Sequence, residues 1–237
     1  MSHEVHIHPA QTKILRELLF VPSVNFAGLQ KVSGLDGDHA KFHIKRLVEL
    51  GYVDKSGSAY ALSITGKEYA NKLDTDAGII ERQPKVAVLL IVERYHGGAK
   101  EYVLQERLKH PYYGYWGAPT GKVRWGESIV AAAQRELAEE TGLQADFVHH
   151  GISHERVKHA STGEIVEDKI FFLMFTNNAH GSLQERFDGG RNVWRSLDSM
   201  AQEPKVYKGF ISEMNLGITG TGDSTAEVAY EYSDSEF

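Results

Sequence analysis

Apolar positions in the first part of the chain recur at helical spacing. In PAQTKILRELLF (residues 9–20), Ile14, Leu15, Leu18 and Leu19 share one face, and Pro22 closes the helix. A short helix from Phe26 to Val32 follows, then a turn in SGLDGDH, then a third helix in HAKFHIKRLVELG that stops at Gly51. On this third helix Phe42, Leu47 and Val48 are expected to face the core. YVDKSGSAYALS alternates around a Gly/Ser turn and predicts a β-hairpin, and Thr65 is expected to cap a last helix running to about Leu73.

From residue 85 the pattern changes. VAVLLIV (86–92) is a continuous apolar run that predicts a strand buried on both faces, HGGAK turns it, and EYVLQERL alternates as its partner. Ser128 and Gly142 bracket a helix in IVAAAQRELAEE, with Ile129, Ala133 and Leu137 as its core stripe. FVHHGISHERV, KIFFLMFT and NVWRSL predict three more strands, and a final helix is expected between Leu197 and Asn215. The tail GTGDSTAEVAYEYSDSEF is either disordered or a late edge strand. The class is α/β: a small α+β domain over residues 1–75, a polar linker over 76–84 ending in Pro84, and a larger domain over 85–237.

The capped helix carries an arrangement that helix stability does not explain. Glu136, Glu139 and Glu140 stand at i, i+3 and i+4, so three carboxylates meet on one face and repel. Two of them also lie near the C-terminal end, where the macrodipole disfavours anions. A divalent cation turns this cost into binding. Oxygen donors without a Cys or His at ligand spacing on the same helix select magnesium, with manganese as the alternative, rather than zinc. Magnesium is held by one or two carboxylates plus substrate phosphates, so a phosphate-bearing substrate follows. Arg135, beside Glu136 and one turn from Glu139, can orient a carboxylate.

The segment GKVRWGESIVAAAQRELAEETGL, residues 121–143, matches every position of the Nudix box, and over residues 85–215 the chain resembles the Nudix hydrolase family. The resemblance implies an α/β/α sandwich with a mixed sheet. It also implies Mg2+-dependent hydrolysis of a pyrophosphate bond in a nucleoside diphosphate linked to another group. Carried over by position, Glu136, Glu139 and Glu140 are the expected metal ligands, with a backbone carbonyl at Thr120 or Gly121. Arg135 is the orienting arginine and Glu127 the outer supporting glutamate. Arg107 and Lys122 are candidates for substrate phosphate, with Arg124 near the metal loop as a further one. Trp116, in a run of aromatics with Tyr112, Tyr113 and Tyr115, is a candidate for stacking on a base or for packing under the loop. General-base candidates are Glu136 and Glu139, and later in the chain Glu164, Glu167, Asp168, Glu185 and Asp188. The family's usual Pro-Gly-Gly is replaced by Pro119-Thr120-Gly121, which puts the loop geometry in question because Thr does not adopt positive φ cheaply.

The order of helices and hairpin in residues 1–75 resembles a winged helix-turn-helix domain. That resemblance implies a recognition helix over about Asp38 to Leu50, with Lys41, Lys45 and Arg46 toward phosphates of double-stranded DNA, and a homodimer to span successive grooves. Charge tempers the expectation. Residues 1–78 hold nine basic and nine acidic side chains, so the net charge of −6 falls wholly on the larger domain. An acidic surface suits a metal site and repels nucleic acid polymers. The absence of cysteine excludes disulfides, thiolate metal sites and cysteine nucleophiles. No eighteen-residue apolar run and no signal pattern occur, so a soluble cytoplasmic protein without membrane contact is expected. His3, His6 and His8 are expected to belong to a frayed polar end. Two functions compete: a hydrolase with an accessory N-terminal module, and a transcription regulator whose Nudix domain senses a nucleotide metabolite. The intact carboxylate set favours the hydrolase.

Overall fold

The computed structural model describes residues 7–73, 82–234 and 236, in two compact units, Met1–Arg82 and Gln83–Phe237. Most of the expected linker lies outside the described residues.

The first unit contains α1 (Pro9–Phe20), β1 (Val24–Asn25), α2 (Phe26–Ser33), α3 (Gly37–Glu49), β2 (Val53–Ser56), β3 (Ala59–Leu62) and α4 (Ile64–Ala70). The strands form an antiparallel sheet in the order β1-β3-β2. Ile14, Leu15 and Leu18 of α1 meet Leu29, Ile44, Leu47 and Val53 in one core. Three local expectations change. Phe42 is 65% exposed, because the buried stripe of α3 is Ala40, Ile44 and Leu47, and Phe42 points half a turn away from Ile44. α4 is capped by Ser63, whose hydroxyl accepts from the Gly66 N–H, so Thr65 lies inside the helix. His8 is not frayed: its ring accepts from the Ala10 N–H and caps α1, while His3 and His6 lie outside the described residues.

The second unit runs β4 (Lys85–His96), β5 (Ala99–Arg107), β6 (Trp116–Gly117), β7 (Thr120–Lys122), α5 (Ile129–Thr141), β8 (Val148–His159), β9 (Ile165–Thr176), β10 (Arg186–Phe187), β11 (Gly190–Arg195), a 3-10 turn (Leu197–Gln202), α6 (Phe210–Thr219) and β12 (Thr225–Tyr232). Its sheet has the order β10-β11-β5-β4-β9-β8-β12, with β6 added to β5 and β7 to β4. The sheet is mixed: β4 is parallel to β9 and β12 to β8, and the other pairs are antiparallel.

The unbroken apolar run in β4 now has its reason. Val88, Leu90 and Val92 pack under α5 against Ala132, Ala133 and Leu137, while Ala87, Leu89 and Ile91 pack under α6 against Phe210 and Met214. A strand covered on both faces has no polar side to present. The result is an α/β/α sandwich with a mixed sheet. The last helix begins later than expected, at Phe210, after the 3-10 turn. The tail forms β12, which ends the sheet order beside β8.

Candidate active site

α5 starts where expected: the Ser128 hydroxyl accepts from the Ala131 N–H, and Gly142 ends the helix at φ 72°. β7 lies antiparallel to β4, with Gly121 opposite Val88, and this brings the Gly121 backbone against Glu136. A Cβ added at Gly121 would fall within the Glu136 carboxyl group. Gly121 is therefore required for close approach and not for a left-handed backbone. Thr120 causes no difficulty, since Tyr112 is the only non-glycine with positive φ among the described residues.

Arg135, 15% exposed, organises the box. It forks onto Glu127 (Nε to Oε1 2.7 Å, Nη2 to Oε2 2.8 Å) and reaches Glu136 at 2.7 Å and Glu139 at 3.2 Å. It also donates to the Lys122 carbonyl at 3.0 Å, tying α5 to β7. Arg135 and the Arg124 N–H hold the Glu127 carboxyl down to about 2. Glu139 is half exposed and bonded to the Arg124 guanidinium at 3.1 and 3.2 Å.

Glu140 is held from the other side. Its carboxylate accepts from Gln105 at 2.9 Å, and Gln105 is steadied by Asn192 at 3.2 Å. Asn192 is fully buried and donates to the backbone carbonyls of Glu140 (2.7 Å) and Gln184 (2.9 Å). Burial pushes the Glu140 carboxyl up, and the neighbouring Glu136 adds to this.

These groups open onto a cavity of about 480 Å3. On the β5–β7 side it is lined by Gly121, Lys122, Gln105, Arg107, Lys109, Glu136 and Glu140. Across β4, on the β8–β9 side, it is lined by Glu155, Glu167, Lys169 and Lys85, with Glu213, Phe210 and Phe171 above them. Lys169 bonds Glu167 at 2.5 Å and Glu155 at 3.5 Å, and Lys85 lies 3.7 Å from Glu167. Glu213 accepts from the Ser153 hydroxyl at 2.8 Å, and burial, reinforced by Glu155, pushes its carboxyl up to about 7. Burial also raises Glu155.

The expected residues divide accordingly. Arg107, Lys122, Gly121, Glu136 and Glu140 line the cavity; Glu127, Arg135 and Glu139 form the ion-pair frame beside it. Trp116 does not line it. The indole is buried in the core, with the Arg191 and Arg195 guanidinium groups 5.3 and 5.4 Å from its ring, because β6 pairs with β5 and turns the side chain inward. Of the aromatic run only Tyr112 reaches the cavity; Tyr113 is exposed, and Tyr115 packs with Tyr112, Tyr207 and Tyr232. Of the later acidic candidates only Glu167 lines it. Glu155, Lys169 and Glu213 were not singled out from the sequence. A usable signal was Glu213 in FISEMNLGIT, a carboxylate on the same helix face as Phe210, Met214 and Gly217.

The donor set fits magnesium in kind. Glu136 and Glu140 supply hard oxygens one turn apart in the cavity, and one or two carboxylates suffice when phosphates complete the shell. Among the described residues no group of three His, Asp or Glu side chains converges at ligand spacing, since Glu139 is turned to Arg124.

A Nudix domain family model matches residues 81–213, more than half of the chain. The chain belongs to the Nudix family. The Nudix unit is 35% identical over 92 residues to an ADP-ribose pyrophosphatase of Methanocaldococcus jannaschii, covering 37% of this chain and 52% of that protein. It is 33% identical over 87 residues to a mouse oxidized purine nucleoside triphosphate hydrolase, covering 37% and 53%. The chain thus spans about half the length of these curated relatives. The Nudix domain of Shewanella oneidensis NrtR, solved with ADP ribose, superposes with a TM-score of 0.51 over 66% of this chain and 97% of that one; at 18% identity this is a likeness of fold. The N-terminal unit is a helical region with a small antiparallel sheet, and no helix among the described residues is long and apolar enough to cross a membrane.

Proposed function

We propose that the Nudix unit hydrolyses a pyrophosphate bond in a nucleoside diphosphate linked to another group, of the ADP-ribose type. The observation that carries this is one cavity in which the Glu136 and Glu140 carboxylates stand beside Arg107, Lys109 and Lys122. Anions and cations so placed fit a metal-phosphate complex: the cations offset phosphate charge while the carboxylates hold the metal. Arg107 is fixed for this by its own bonds to the carbonyls of Pro111 (2.5 Å) and His110 (3.3 Å), so its guanidinium is held in place before substrate arrives. Lys122 is fixed through its backbone by Arg135. The frame of Glu127 and Arg135 holds Glu136 and Glu139 in place. Glu136 and Glu140, with Glu139 on the same helix, would hold magnesium, which would supply charge neutralisation of the phosphates and a more acidic water. Phe171, Phe210 and Leu89 give the same cavity an apolar wall.

Turnover of a panel of nucleoside diphosphate derivatives, with and without Mg2+, tests the reading. Magnesium-dependent release of a nucleoside monophosphate is expected, with label from heavy-oxygen water on a phosphate product. Label on sugar or base alone would overturn it.

For the N-terminal unit, the order of three helices and a hairpin, and the exposure of Lys41 and Lys45 one turn apart on α3, favour a winged-helix module that docks on DNA phosphates as a homodimer. Lys45 and Arg46 both lie within reach of Glu49 (3.6 and 3.5 Å), so the outward field is modest and a dimer is needed.

A further inference from the structure

The carboxylates on the β8–β9 side of the cavity have no part in the chemistry proposed above, yet they are costly to keep. Glu213 is 5% exposed and Glu155 9%. They come from α6 and β8 and face Lys169 of β9, with Lys85 of β4 behind Glu167. Lys169 and Ser153 each satisfy one oxygen of the pair: Lys169 reaches Oε1 of Glu155, and Ser153 reaches Oε1 of Glu213. The second oxygen of each has no hydrogen-bond donor among the described residues. Both residues line the cavity, so a ligand or an ordered water in it can supply the donor. The space beside them is walled by the rings of Phe171, Phe210 and Tyr207. Acceptors outnumber donors here, whereas the β5–β7 side offers Arg107, Lys109 and Lys122. The charged side chains lining the β8–β9 end are three carboxylates with Lys85 and Lys169, and those lining the β5–β7 end are two carboxylates with Arg107, Lys109 and Lys122.

We propose that Glu155 and Glu213 form a specificity-determining subsite that receives the uncharged, donor-bearing end of the substrate and excludes a terminal phosphate. The donors are sugar O–H groups or base N–H groups. The subsite rests on the hydrolase reading for its partner site and sharpens the substrate class. A diphosphate capped by a neutral, donor-rich group fits both ends; a nucleoside triphosphate lying in the same direction brings an anion to the carboxylates. Lys169 is engaged with Glu155 and Glu167, and Lys85 lies 3.7 Å from Glu167, so three carboxylates against two lysines leave this side one carboxylate in excess.

The test uses the full chain and the variants Glu213→Gln and Glu155→Gln, which keep side-chain volume and one acceptor oxygen. Calorimetric binding in EDTA, where hydrolysis does not interfere, is compared for ADP-ribose, its hypoxanthine counterpart, ADP and ATP. The wild-type protein should bind ADP-ribose well above ATP. Each variant should weaken ADP-ribose roughly tenfold and narrow its margin over ATP. The hypoxanthine compound and ADP separate the two donor sources: the penalty disappears for the ligand that lacks the contacted group. A variant that changes melting temperature but leaves the ADP-ribose to ATP binding ratio untouched counts against the subsite, as does equal weakening of all four ligands. Turnover with Mg2+ is read in parallel. Failure of the wild-type protein to hydrolyse any compound overturns the hydrolase reading, while the binding ratios still decide the subsite.

Discussion

The two groups of glutamates that border the cavity were built in opposite ways. Glu136, Glu139 and Glu140 come from one helix, and Glu127 from the loop before it; Arg135 and Arg124 reach this group, and Glu127 is held down to about 2. Glu155, Glu167 and Glu213 come from three elements, share Lys169 or Ser153, and include a carboxyl raised to about 7. In the first group guanidinium pairing lowers Glu127, while burial raises Glu140. In the second, burial raises Glu155 and Glu213. Proximity of carboxylates alone decides neither state; the number and kind of donors around them does.

The contrast predicts where substitutions act. Glu140→Gln should remove most turnover, roughly 10^3-fold, because it removes charge at the metal while preserving the bond from Gln105. Melting without metal should be unchanged or slightly higher. Near-normal kcat at saturating Mg2+ would end the assignment of Glu140.

The opposite group should show its effect in stability. Glu213 has its carboxyl raised above the unfolded value, so wild-type stability is fully retained below about pH 4.5 and declines as pH rises to about 7. Glu213→Gln lacks this decline. The gain of the variant over wild type should be small near pH 4.5 and grow to at most about 3 kcal/mol above pH 7. Chemical denaturation at several pH values measures it, and a gap that does not widen with pH would mean that the carboxylate is better solvated than its burial implies.

Asn192→Ala removes two donors to buried carbonyls and the support of Gln105, and should cost about 2 kcal/mol of stability. If Asn192 positions Glu140 through Gln105, kcat should fall about tenfold with KM little changed, and the magnesium needed for half-maximal rate should rise. Lost stability with unaltered magnesium dependence would reduce Asn192 to a structural role. The smallest effect is expected in the N-terminal unit. If the unit docks on DNA as proposed, Lys41→Ala with Lys45→Ala should lower DNA affinity and flatten its salt dependence by about one unit per lost contact. Binding that ignores both changes would remove α3 from the interface.

Much of this was legible in the chain. The β4 run, the Ser128 and Gly142 caps and the α5 carboxylates are local patterns, and each appears at the expected residues. The N-terminal elements were legible for the same reason, while Phe42 was misplaced because one apolar residue among several cannot fix the phase of a helix. The second carboxylate group was hidden. Glu155 and Glu167 sit on strands with charges at several positions, and only the register that pairs Glu155 with Lys169 and Val157 with Glu167 shows which of them point inward. Trp116 misled because the indole's chemistry suits a base, whereas its strand pairing decides its direction. Thr120 misled by analogy: the constraint is the volume beside Glu136, and it falls on Gly121.

The outermost strand has a consequence for how the molecule behaves at high concentration. β12 ends the sheet with eight residues paired only to β8 among the described strands, so its far side offers backbone donors and acceptors to any other extended chain. At the opposite margin β10 is two residues long and offers little template. Glu227 and Glu231 stand exposed along β12, placing like charges where two copies would meet edge to edge. Replacing both with threonine would favour strand formation while removing that repulsion, and would turn a guarded margin into a seed for self-association.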